Sequence, residues 1–143
     1  MKTDLSKILS VSGYHGLYRY LAPARSGALG EALENGKRLV FPATAHITSL
    51  EDIAIYTNEG ELKLREVFLA LAKTLDGKQA PTSKAPVQEL TELFAKAVPD
   101  YDGSRFYVSH MKKVVDWYNE LLAKASLDFV TDEDREKEAE NTK

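Results

Sequence analysis

The sequence predicts an α+β fold: an N-terminal small bent β-sheet or SH3-like barrel, then a three-helix C-terminal module and a disordered acidic tail. Three observations carry this expectation. Up to Leu64 short apolar runs alternate like half-buried strands. From Leu64 onward the apolar residues recur at helical spacing. Past Phe129 acids and lysines follow one another without an apolar face. The 143 residues thus divide into a β-rich module over 1–63, a helical module over 64–127 and an acidic tail over 128–143.

Asp4 caps a short helix carrying Leu5, Ile8 and Leu9, and Gly13 and Gly16 turn the chain into a strand over 17–21. On that strand Leu17, Arg19 and Leu21 share one face, Tyr18 and Tyr20 the other. Pro23 and the Ser26-Gly27 turn lead to a second strand over 28–33. Glu34-Asn35-Gly36-Lys37 is the strongest hairpin signal, because Asn-Gly takes the positive φ angles of a tight primed turn. It returns the chain through 38–41, where Pro42 marks an edge or a bulge. Ser49 begins one capped helical turn by accepting the amide of Asp52. Ile53, Ile55 and Tyr56 then enter a strand that Asn58-Glu59-Gly60-Glu61 folds back into Leu62 and Leu64.

Leu64, Val67, Phe68, Leu71 and Leu75 form the stripe of the first helix, which Gly77 closes. A second helix starts at Pro86, runs on Val87, Leu90, Leu93, Phe94 and Ala97, and stops at Pro99. After a turn at 100–103 and a brief extended piece over 105–108, Ser109 caps the longest helix. Its stripe is Met111, Val114, Val115, Tyr118, Leu121, Leu122 and Ala125, with Trp117 beside it.

Composition excludes several classes. Without cysteine there are no disulfides, thiolate nucleophiles or cysteine metal sites, which suits a cytoplasmic protein. The longest apolar run near the N-terminus is Ile8-Leu9, so no secretion signal is expected, and nowhere do about 18 apolar residues run consecutively, so no membrane partner is expected. Net charge is −3, with acids concentrated after Leu127 and a small excess of bases in residues 1–50.

Catalytic and metal chemistry find no motif. His15, His46 and His110 lie in three separate contexts, none paired with another ligand at one-turn spacing. Gly13-x-x-Gly16 and Gly27-x-x-Gly30 lack the rest of a phosphate-binding loop. Ser109 and His110 are adjacent and so diverge by about 100° on a helix. Glu51, Asp52, Asp100 and Asp102 sit where caps and turns need them. The expectation is therefore no catalytic residue, no metal ligand and no cofactor.

Two binding surfaces remain. Arg19, Arg25, Lys37 and Arg38 beside Tyr18 and Tyr20 resemble the cationic and aromatic surface with which small barrels hold single-stranded nucleic acid. The competing assignment puts Tyr18, Tyr20 and Phe41 in the core and leaves the bases to solubilise strand edges. Tyr107 and Trp117 are candidate anchors for a protein interface, with core closure the competing task for Trp117.

The strings DLSKILSVSG, GLYRY, ENGKR, SLEDIAIYT, LREVF and DYDGSRFYVSHMKKVVDWYNELL occur in this order. Together they resemble a family of small uncharacterised proteins of the Bacteroidetes lineage made of two adjoining domains of unknown function. The resemblance implies an N-terminal β-rich module joined to a helical one, and it implies no catalytic or binding residue. The expected function is a non-enzymatic binding or adaptor protein engaging a protein partner. The alternative is a nucleic-acid-binding small barrel using the basic and aromatic N-terminal face.

Overall fold

The computed structural model describes residues 3–14 and 16–129. Asp4 opens the fold as a cap, its Oδ1 accepting the amide of Ser6 at 3.0 Å. The capped turn is only Leu5–Lys7. Ile8 and Leu9, expected on a helix, instead begin strand β1 (Ile8–Val11). The reason is non-local: β1 pairs antiparallel with β2 (Tyr18–Ala24) on one side and β5 (Ile47–Ser49) on the other. Such pairing overrides a short apolar pattern that fits either period. With β3 (Gly27–Ala32) and β4 (Arg38–Pro42) the order is β4-β3-β2-β1-β5, which leaves Pro42 on an edge strand where its missing N–H costs little.

Alternation along β1 sends its side chains into two cores. Ile8 joins Leu5, Leu17, Leu50 and the helices, whereas Leu9 and Val11 join Tyr18 and Phe41. Phe41 belongs to the edge strand, yet its ring lies edge-on to Tyr18 with centroids 4.9 Å apart, so the sheet curls over its own inner face. Gly30 permits that curl. A Cβ there would stand 2.9 Å from Phe41 Cε2.

The Asn35-Gly36 signal does turn β3 into β4, but not as a two-residue primed turn. Only Gly36 has positive φ, at 72°. Its amide reaches back to the Ala32 carbonyl at 2.8 Å, and Asn35 Oδ1 accepts the Lys37 amide at 3.0 Å. The side chain thus replaces a backbone acceptor and lengthens the loop.

Ser49 caps a 3₁₀ turn, Leu50–Asp52, but accepts the amide of Glu51 at 3.2 Å rather than that of Asp52. The following hairpin, β6 (Ala54–Thr57) and β7 (Gly60–Lys63), forms a separate two-stranded ribbon. The outer edge of β6 bonds to the loop before the last helix, through Asn58 N–H to Asp100 O at 2.8 Å and Asp102 N–H to Tyr56 O at 2.9 Å.

Three helices complete the chain: α1 (Leu64–Leu75), α2 (Val87–Ala97) and α3 (Val108–Lys124). Asp76 and Gly77 end α1 with positive φ. Val108 rather than Ser109 opens α3, with Tyr107 as its cap residue, and the His110 imidazole at the third helical position accepts the Tyr107 amide through Nδ1 at 3.1 Å. Leu64, Val67, Phe68 and Leu71 of α1 meet Leu90, Leu93 and Phe94 of α2 and Met111, Val114, Val115, Tyr118 and Leu121 of α3. Leu5, Ile8, Leu17, Leu50 and Ile55 enter the same cluster, so the β and helical parts share one continuous core. Tyr118 is fully buried and gives its hydroxyl proton to the Lys78 carbonyl at 3.0 Å.

Two residues assigned to the acidic tail belong to this fold. Thr3 N–H donates to Asp128 O at 2.7 Å, and Phe129 is buried against Phe68 with ring centroids 6.0 Å apart. Phe129 is apolar and ends the run of core residues. The expected disorder of the tail falls on 130–143, outside the described residues.

Gly30→Ala should destabilise the protein by about 1–3 kcal/mol in urea unfolding, because the buried Phe41 ring must leave its rotamer or shift. An unchanged midpoint would mean that Phe41 does not lock the curl. A second expectation concerns Asp102, whose carboxylate accepts the Ser104 hydroxyl at 2.6 Å, the Ser104 amide at 3.0 Å and Arg105 Nε at 3.0 Å. These bonds, the hydroxyl first, hold its pKa below the ordinary 3.8. The stability they confer is present above 3.8 and is lost as pH falls through the lowered value. Asp102→Asn should therefore flatten the acid limb of a stability-against-pH curve below that point, and an identical limb would remove Asp102 from the account.

Candidate binding cleft

A cleft of about 670 Å³ opens where the sheet meets the helices. One wall is the end of β1 with the β1–β2 turn and Glu34 of the β3–β4 loop. The other is α3 with the α1–α2 connection. Lys113, Asp116, Trp117, Glu120 and Lys124 line it from α3. Their three- and four-residue spacing makes one stripe beside the core stripe of the same helix.

Side chains of α3 hold both walls by their backbones. Glu120 accepts the Leu17 amide through Oε1 at 3.2 Å and Oε2 at 3.0 Å. Asn119 both accepts from Ala80 N–H at 2.7 Å and donates to Ala80 O at 3.0 Å, and Asp116 accepts the Ser83 amide at 3.1 Å. A loop without regular structure thereby satisfies its polar groups on a helix. Trp117 stands half-buried between these anchors. Tyr14 lines the cleft from the sheet side, packed edge-on to Phe41 at 4.9 Å yet partly exposed. The cleft offers aromatic surface flanked by charge, which suits binding of a side chain with polar neighbours.

The expected nucleic-acid residues do not assemble. Tyr18 is buried in the second core, and burial, followed by the nearby charge of Glu120, raises its pKa. Tyr20 packs half-buried against the same cluster. The Tyr18 ring is not free to stack on a base. Arg19 stands opposite Glu31 across the β2–β3 ladder, and Arg38 Nε lies 3.6 Å from the same carboxylate. Lys37 is near Arg38 in the β3–β4 loop, but Arg25 turns the opposite end of the hairpin, about 20 Å along β2.

Tyr107 and Trp117 are not brought together either. Ten positions on a helix separate them by about 15 Å along the axis and roughly 80° around it. Tyr107 is exposed at the start of α3, tilted on His110 with centroids 5.4 Å apart. His110 also stacks on Phe106. His46 is exposed between β4 and β5, its carbonyl accepting the Ser12 amide at 3.0 Å, and His15 lies outside the described residues. Among the described residues no helix is long and apolar enough to cross a membrane.

Sequence reading missed Lys113, Asp116, Asn119, Glu120 and Lys124. A signal was present in the polar residues spaced three and four apart around Trp117. What it faced was a loop distant in sequence. Asn119→Ala should lower stability by about 1–3 kcal/mol, because it strands the Ala80 amide and carbonyl. It should also speed hydrogen exchange at Ala80 more than at α1 amides. Unchanged protection at Ala80 would show that α3 does not hold the connection.

Two adjoining family patterns cover most of the chain. Residues 5–50 match a Domain of unknown function (DUF5606), and residues 53–121 match a second Domain of unknown function (DUF6852). The solution NMR structure of a structural-genomics target from Bacteroides vulgatus is similar at 35% identity, with a TM-score of 0.71 over 84% of this chain and 87% of that one. No curated protein matches.

Proposed function

The chain belongs to the family that joins these two domains of unknown function, and within it we propose a cytoplasmic, non-enzymatic binding module that takes a partner protein into the cleft around Trp117. The observation that carries this reading is the position of Trp117, half-buried yet lining open space between two walls that α3 itself holds in place. A rigid aromatic on a helix, ringed by polar groups, is the usual make-up of an interface anchor. Asp116 and Glu120 are already engaged by backbone amides, which favours a positioning task for them over proton transfer. The order β4-β3-β2-β1-β5, with Phe41 folded across to β1, supports reading the sheet as an SH3-like barrel that serves as the rigid wall of the site.

Tagged full-length protein should retain specific proteins from lysate of its own source after nuclease treatment. Trp117→Ala should lose them at least about tenfold, in line with a central aromatic anchor, while Tyr107→Ala retains them. Circular dichroism of both variants checks that the fold persists. Equal retention by Trp117→Ala, or companions that disappear with nuclease, would refute the reading, and the second outcome would return attention to Arg19, Lys37 and Arg38.

A further inference from the structure

Resting on that reading, we propose that the partner presents an extended peptide segment with acidic residues at both ends and an apolar residue between them, the ends held by Lys113 and Lys124 and the middle by Trp117. Lys113 and Lys124 are eleven positions apart on α3, which places them about 16 Å apart and within roughly 20° of the same face. Trp117 lies between them on the cleft side. That separation equals about five residues of extended chain at 3.3 Å each. Both lysines are exposed and neither makes a salt bridge within the described residues, nor does Lys84 on the facing loop.

The pattern of charge selects among anions. Asp116 and Glu120 line the stretch between the two lysines, each carboxyl accepting a backbone amide. A uniform polyanion such as a nucleic-acid strand would set phosphates against them. A segment that is acidic only at its ends places an apolar side chain there and meets the indole instead. Glu34 on the sheet side adds to the same discrimination against continuous negative charge.

Trp117 is the one tryptophan of the chain, so its emission reports on the cleft directly. The probe is the synthetic peptide Glu-Glu-Ala-Leu-Ala-Glu-Glu, compared with a version carrying Lys for every Glu, a version with Gly for Leu, and oligothymidylate. The expected result is a saturable change with the first peptide alone, weakened about tenfold by the double change Lys113→Glu and Lys124→Glu, as loss and reversal of two exposed charge contacts implies, and weakened by salt. The milder pair Lys113→Gln and Lys124→Gln should weaken it less. No saturable response to the first peptide, an equal response to the lysine peptide or to oligothymidylate, or full binding by the charge-reversed variant would overturn the inference. Lysate retention separates the two proposals. If Trp117→Ala loses its protein companions while the lysine variants keep them, the acidic-segment inference falls and the binding cleft stands; if Trp117→Ala keeps them, the binding cleft itself falls.

Discussion

The structure depends on one constraint: the small sheet cannot cover both of its own faces. Its inner face closes by curling Phe41 back onto Tyr18, Leu9 and Val11, which is as much surface as five short strands can enclose. The other face, carrying Ile8 of β1 with Leu17 just before β2 and neighbouring Leu5, has no partner within the sheet and is buried on the helices. The helices have the complementary need, since each is too short to persist alone. One core therefore serves two modules whose family patterns meet between residues 50 and 53.

That shared burial sets where a binding surface can form. Packing a curved sheet on a helical layer leaves a gap at the rim, because the sheet turns away from the helices as it twists. Here the gap opens beside α3, and the helix bridges it with polar side chains directed at backbone amides on both sides. The same helix thus has two jobs in two adjacent stripes. Met111, Val114, Val115, Tyr118 and Leu121 fill the core, while Lys113, Asp116, Trp117, Glu120 and Lys124 line the cleft.

The polar bonds at this joint have consequences for local stability. Beside the apolar contacts of Leu17, Ala80 and Tyr14, the β1–β2 turn and the α1–α2 connection are tied to α3 by side chains: Glu120 takes the Leu17 amide, Asn119 the Ala80 amide and carbonyl, and Asp116 the Ser83 amide. Thr3 and Ser126 do a similar job where the N-terminal segment meets the chain after α3, with Thr3 Oγ1 donating to Ser126 O at 2.9 Å. A small domain with long connections is held together as much by such side-chain contacts to loop backbone as by its regular ladders.

What the sequence determined by itself were the features whose cause is local. The stripes of α1, α2 and α3 repeat over several turns, the stops at Gly77 and Pro99 follow from backbone chemistry, and Pro42 on an edge strand follows from its missing donor. Tertiary structure decided whatever depended on a distant partner. Ile8 and Leu9 fit a helix or a strand over so few residues, and pairing to β2 and β5 made the choice. The last hairpin left the sheet because its edge bonds to 100–102, and Tyr18 became core because Phe41 folds over it. The cleft belongs to the same class: Trp117 was legible as a candidate anchor, but Glu120 and Asn119 acquire meaning only opposite Leu17 and Ala80, far away in the chain, which no periodicity along α3 encodes.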